Sequence, residues 1–261
     1  MATMTNVSTM TTMKTGAAHA PIAADVRKLP VADAMTSADV ESWSLVRHLY
    51  VSAVFAAVFI VVCCGVYPAV VWGVGQALFP VQANGSLVTK TGAFTTDPAE
   101  AVGSALLGQG FSAPGYFHPR PSAAGSGYDA SSSGGTNLGP LSDKLLNGIH
   151  GSKNEDGTPN PAADFDGVKD LVAAYRAENG LPDDAIVPAD AVTRSASGLD
   201  PHISPENARL QAARVAQARG LGLDVVRHLI DAHTDAPAFG VLGEPGVNVL
   251  MLNLALDGAA R

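Results

Sequence analysis

The chain has 261 residues, of which 47% are hydrophobic and only 15% charged, where a soluble domain carries about 25% charged residues. That length holds one sizeable domain with appendages. The net charge of −8 excludes a grip on nucleic acid, which requires clustered Lys and Arg against phosphate.

The charge is unevenly placed. In residues 1–48, Lys14, Arg27, Lys28 and Arg47 are balanced by Asp25, Asp33, Asp39 and Glu41, so the whole net charge falls beyond residue 79. Such a surface keeps a domain soluble and raises the local concentration of cations. The two cysteines, Cys63 and Cys64, are adjacent and lie in an apolar run. They neither staple the C-terminal part nor make a metal site.

Residues 1–42 are rich in Thr, Ala, Met and Ser with little apolar periodicity, and are expected to form a disordered tail. They lack the short apolar core of a cleavable signal. Residues 43–79 are expected to form a transmembrane anchor. From Leu49 to Phe79 no residue carries a formal charge, and about 20 apolar residues suffice to cross a bilayer. Tyr50 and Trp72 are 22 residues apart, roughly 33 Å of helix, which suits aromatic rings at both interfaces. Pro68 is expected to kink the far end or to mark where the regular helix loosens. Ser52 with Ala56, and Ala53 with Ala57, are spaced to admit a second helix closely. No residue suited to ion transport lies in the span. Arg47, with Arg27 and Lys28 behind it, outweighs Lys90 on the far side. The positive-inside rule then favours a cytoplasmic N-terminus and an exported C-terminal domain.

Residues 80–261 are expected to form a mixed α+β domain. Gly, Ser, Asn and Pro mark loops over 121–140 and 150–163, including a polar stretch near 151–163. Asp166 to Glu178 suits a helix with Val168, Leu171, Val172 and Tyr175 on one face, stopped by Gly180. Ser204-Pro205-Glu206 reads as a helix start, with a capping hydroxyl, a proline at the first position and an acid near the positive end. That helix runs through Ala208, Ala212 and Val215 to Gly220, with Arg209, Arg214 and Arg219 expected to point outward. A second helix is expected over Asp224 to His233, burying Val225, Val226, Leu229 and Ile230. Val247 to Leu256 is apolar on both faces, as a fully buried strand would be.

Four polar segments are candidates for chemistry. Gly103-Ser104-Ala105-Leu106-Leu107-Gly108-Gln109 has glycines that would let amides approach a phosphate, but no Lys-Ser/Thr pair follows, so it is no Walker A loop. Tyr116-Phe117-His118-Pro119-Arg120-Pro121-Ser122 is extended by its prolines. Its Arg120 is suited to clamp an anion or to make an internal salt bridge. Residues 132–140 have the composition of an anion nest and equally of turns. Residues 195–205 bring Ser197, Asp200 and His202 close in sequence without a G-x-S-x-G elbow. Asp200 and His202 alone make a poor metal site, and a rigid turn into the capped helix is the simpler reading.

In this order after one membrane span, the segments resemble the C subunit of the Kdp-type potassium-transporting P-type ATPase. The matching stretches are GSALLGQGF at 103–111, YFHPRPSAA at 116–124, SSGGTNLGP at 132–140, SASGLDPHISPENARLQAARVAQARGL at 195–221 and FGVLGEPGVNVLMLNLALD at 239–257. The resemblance covers about residues 45–257. It implies a single-pass subunit of a multisubunit pump in a bacterial inner membrane, with a periplasmic C-terminal domain. Its partners would be a channel-like K⁺-binding subunit, an ATP-hydrolysing subunit and membrane lipid. The subunit itself would be non-catalytic, and the sequence has no DKTGT-like phosphorylation motif. The resemblance implies an assembly and stabilising role, with the domain over the ion entrance. It also carries an alternative, a nucleotide-binding accessory that raises the ATP affinity of the catalytic subunit, in which Gln109 would contact ATP. A membrane-anchored hydrolase resting on Ser197, Asp200 and His202 is a third reading.

Overall fold

The computed structural model describes residues 45–259; the tail expected over residues 1–42 lies outside them. The described chain divides into two compact units, one ending at Tyr67 and the other beginning at Pro68. Leu45–Leu78 is helical throughout and is long and apolar enough to cross a membrane, and none of its residues is buried. It consists of α1 (Leu45–Phe59), a π-helical stretch (Ile60–Val66) and α2 (Tyr67–Leu78). In the wide stretch the Tyr67 N–H reaches back to Val62 O. Pro68, which has no N–H to donate, follows directly, so the ladder loosens where the sequence predicts.

A short helix, α3 (Pro80–Ala83), ends in a compact turn where Ser86 N–H donates to Val81 O at 2.8 Å. Three short strands follow, which sequence reading left without assignment: β1 (Leu87–Thr89), β2 (Phe94–Thr95) and β3 (Ala101–Ser104). They pair antiparallel in the order β2-β1-β3, and Val88 is fully buried at their centre.

Residues 105–142 are irregular and 150–160 form turns, as their Gly, Pro and Asn content predicts. The short α4 (Asp143–Asn147) is capped by Ser142, whose hydroxyl accepts from Leu145 N–H. Then α5 (Val168–Glu178) buries Tyr175 with Val168, Leu171 and Val172 packed about it, and Gly180 takes φ +63° beyond its end. This is the face and the stop read from the sequence. A short α6 (Ala189–Val192) adds Ala191 and Val192 to that cluster.

Next come β4 (His202–Ile203), α7 (Pro205–Arg219), α8 (Leu223–Ala232), β5 (Thr234–Asp235), β6 (Gly246–Asn248) and α9 (Val249–Ala259). The second sheet is antiparallel in the order β4-β6-β5. Phe117, Ile203, Ala212, Val215, Val226, Ile230, Val247, Leu252 and Leu256 fill the main core between these elements. The α7 start is as read: Ser204 Oγ accepts from Asn207 N–H at 3.1 Å, Pro205 opens the helix, and Gly220 ends it at φ +65°.

Three expectations are corrected. Val247 to Leu256 is not one strand: only Gly246–Asn248 is extended, and Val249 onward is helix. Leu, Met and Ala dominate the run and favour helix, and Asn248 Oδ1 accepts from Met251 N–H at 3.1 Å to start it. Helix buried on two sides lacks a polar face, which removes the periodicity that separates it from strand. Val225 lies at 48% exposure on the outer side of α8, while Val226 and Ile230 are buried as expected. Finally, only Arg209 of the three α7 arginines points outward, pairing with Asp231; Arg214 and Arg219 turn inward onto backbone carbonyls.

Candidate functional site

Three of the polar segments converge on the fourth, the turn at 195–205. Residues 114–120 lie as a strap across α7 and α9. Asn253, fully buried on α9, accepts from Phe117 N–H at 2.8 Å and donates to Phe117 O at 3.0 Å. Gln211 on α7 does the same to His118, at 2.7 and 3.0 Å. Two side-chain amides therefore satisfy the backbone of two consecutive residues, one buried and one half-buried, that no strand pairs. Arg214 donates to Pro114 O at 2.6 Å and Tyr116 O at 3.0 Å. Burial pulls this guanidinium below the usual arginine value, with Glu178 and Tyr175 opposing. Arg219 donates to Gly115 O, pairs with Asp257 at 2.9 Å and lies over the Tyr116 ring.

Asn207, Gln211 and Arg214 occupy one polar stripe of α7, and Asp190 extends it through Asn207 Nδ2 at 2.9 Å. Tyr175 donates to Asn207 Oδ1 at 2.8 Å, and its burial raises its pKa. Sequence reading missed the stripe. For the strap, the legible signal was Asn253, a polar residue inside the apolar α9.

The first segment turns back on the 195–205 turn. Ala105 N–H donates to Ser86 O, Leu106 N–H to Ser104 Oγ, Leu107 N–H to Ser104 O and Gly108 N–H to Leu199 O. Four consecutive amides are thus occupied within the protein. A Cβ on Gly108 would lie 2.6 Å from Asp200 O, so the close approach requires glycine. Gln109 folds over Gly103; its Nε2 donates to Val102 O at 3.3 Å, and its buried Oε1 has no hydrogen-bond partner. It lines a hollow of about 230 Å³ together with Phe111, Tyr116, Leu250, Asn253 and Asp257.

The third segment docks on the same turn, with Gly134 N–H and Ser133 Oγ both donating to Ser197 O. Ser122 Oγ donates to Gly198 O at 2.6 Å, and Gly198, at φ +68°, has no room for a Cβ beside Ala124 and Gly134. Tyr128 closes the corner by donating to Arg120 O at 2.7 Å, and burial pushes its pKa up to about 12.

Ser197, Asp200 and His202 are close in sequence yet do not form a relay. Ser197 Oγ accepts from Leu199 N–H. Asp200 pairs with Arg120 at 2.8 Å and accepts from His202 N–H at 3.0 Å. The His202 ring is turned to Asp235 at 3.3 Å, and its Nδ1 lies 3.9 Å from Asp200 Oδ1. Apart from these, His150, Asp166 and Asp170 each bring a ligand-type atom within 4.8 Å of the others. The Asp170 carboxylate there also accepts from Gly167 N–H at the start of α5, which holds it below the usual carboxylate range, aided by His150.

Beside the turn opens a cleft of about 560 Å³ lined by Arg120, Asp190, Asp200, His202, Asp235 and Glu244, among others. Asp190 is engaged by Ser204 N–H, Ser204 Oγ and Asn207 Nδ2, and Asp200 by Arg120. Asp235 and Glu244 stand at the solvent side.

The sequence profile of the K⁺-transporting ATPase c chain matches residues 49–258. A potassium-transporting ATPase KdpC subunit of Mycobacterium bovis is 51% identical over 211 residues, covering 81% of this chain and 98% of the relative. One from Myxococcus xanthus is 54% identical over 192 residues, 73% of this chain and 78% of the relative. One from a Caulobacter species is 48% identical over 213 residues, 82% and 94%. The converging motifs, the long apolar helix and these matches agree, and the chain belongs to the KdpC family, the c chain of K⁺-transporting ATPases.

Proposed function

We propose that this subunit is a non-catalytic assembly and stabilising component of the pump, tethered by its single helix in the bacterial inner membrane. Its acidic domain lies on the periplasmic side, over the ion entrance of the channel-like subunit. The carrying observation is that most polar groups of the family segments are spent on one another, with the buried Gln109 Oε1 and Arg120 Nε as exceptions. The strap carbonyls, the amides of residues 105–108, Ser197 and Asp200 all have partners inside the domain. Such a network favours one rigid shape rather than a reaction. Arg47, Arg27 and Lys28 against Lys90 support the cytoplasmic N-terminus. Deleting the subunit is expected to disperse the complex or abolish K⁺-dependent ATPase activity; an intact and fully active pump without it refutes the role. A reporter fused after Arg261 should be active only outside the cytoplasm.

The alternative, a nucleotide-binding accessory, has one observation in its favour: the unpartnered Gln109 Oε1. Against it, the hollow of about 230 Å³ falls short of the roughly 300 Å³ at which ligand sites begin. A carboxylate, Asp257, also stands in its lining. We read Gln109 as an amide that holds its own loop. ATP affinity of the whole pump should be unchanged by Gln109→Ala, and a weakening of tenfold or more would restore the nucleotide reading.

A further inference from the structure

The loop that joins two walls of the acidic cleft carries an apolar tip that the packing of the domain leaves unused. Asp235 pairs with Gly246 where β5 meets β6, so residues 236–245 form the hairpin loop that leads from one cleft wall to the other. Asp235 is 74% exposed and shares one bond with His202, and Glu244 is exposed. Carboxylates outnumber guanidinium groups four to one on the described lining, through Asp190, Asp200, Asp235 and Glu244 against Arg120.

At the hairpin tip, Phe239 is 94% exposed, Val241 78% and Leu242 61%. The tip is nevertheless ordered by its own backbone. Ala238 N–H donates to Leu242 O at 2.8 Å, Leu242 N–H to Ala238 O at 3.0 Å and Gly240 N–H to Pro237 O at 2.9 Å. Phe239 sits at φ +55°, a region costly for a bulky side chain. Strain that the core does not require, combined with an exposed aromatic ring, is the mark of a contact surface. Aromatic anchors beside charged groups dominate protein interfaces.

We propose that the cleft and the β5–β6 hairpin together dock a Lys- or Arg-bearing loop of another subunit of the same complex. The basic side chain enters against Asp235 and Glu244, and Phe239 packs on the apolar flank of that loop. Charge complementarity favours this occupant. The anionic headgroups of a membrane would be repelled by the same carboxylates. The inference deepens the assembly role proposed above and rests on it.

The test is binding of the full-length subunit to the remaining subunits, purified from a strain lacking it, across a range of NaCl concentrations. The parent's affinity should fall with salt. Asp235→Asn with Glu244→Gln should weaken binding about tenfold at low salt and flatten that dependence. Phe239→Gly, which relieves the strained backbone while removing the ring, should weaken binding about tenfold, keep the salt dependence and leave the melting temperature unchanged or raised. Binding of both variants within about twofold of the parent, or a parent insensitive to salt, overturns the proposal. So does Phe239→Trp emission that brominated lipids quench beyond the parent's own quenching in vesicles holding this subunit alone, since that places the tip in lipid. If deletion of the subunit leaves the pump intact, the assembly role fails and this surface with it. If deletion disperses the pump while the variants bind normally, the surface assignment alone fails.

Discussion

Asn253 and Gln211 act on the strap as a neighbouring strand would, each offering one donor and one acceptor to a single residue, the buried Phe117 and the half-buried His118. Removing either leaves a backbone N–H and C=O without partners, and that loss costs more than a typical exposed hydrogen bond is worth. Asn253→Ala is therefore expected to lower unfolding stability by about 3 kcal/mol, measurable by denaturant unfolding of the domain. Tyr128 gives a pH-dependent case. Its neutral hydroxyl is hydrogen-bonded and its folded pKa is raised from 10.0 to about 12. The unfolded chain therefore ionises first as pH rises. Stability from this group is fully present below about pH 10 and is lost on the way to about 12. Tyr128→Phe should be about 1 kcal/mol less stable than the parent at pH 7, with the gap closing as pH climbs above 10 in a thermal unfolding series.

At the scale of elements, the ends of α5, α7 and α8 were legible to within about two residues and their buried faces only partly so. Ser204 and Pro205 act through the first turn alone, so neither needs the rest of the fold to be recognised. Ser204 additionally bonds Asp190 across 14 residues, which no local rule supplies. Ser204→Ala should cost about 1 kcal/mol from the cap, and more if Asp190 is left short of donors; chemical denaturation reads both. On α8 the corrected face makes a paired prediction. Val225→Ser should stay within about 0.5 kcal/mol of the parent, while Ile230→Ala should cost about 3 kcal/mol. The reverse order in melting would put the helix on its other side. The strands of the first sheet were missed because they hold only two to four residues, too few for a period-2 pattern to emerge. Arg214 and Arg219 were placed outward because charge usually is; the strap's carbonyls draw them in.

For the molecule as a whole, the main core draws on residues from Phe117 to Leu256, all beyond the apolar helix. A fragment of residues 80–261 should therefore fold without detergent and unfold in one cooperative transition, checked by circular dichroism on heating. The sequence alone determined the apolar span, the loosening near Pro68, the capped start of α7, the acidic balance of the C-terminal part and, through its five motif stretches, the family. These are set by composition and by residues within a turn of one another. Only the tertiary structure decided that three of the polar segments meet on the fourth, that amides on α7 and α9 hold the strap, and that Val249 begins a helix. It also decided that Asp235 and Glu244 face a common cleft and that the hairpin between them exposes an aromatic tip. The segment contacts and the strap join residues far apart in the chain, up to 136 positions for Phe117 and Asn253, and a pairing over such a distance is chosen by the folded core rather than by any local pattern.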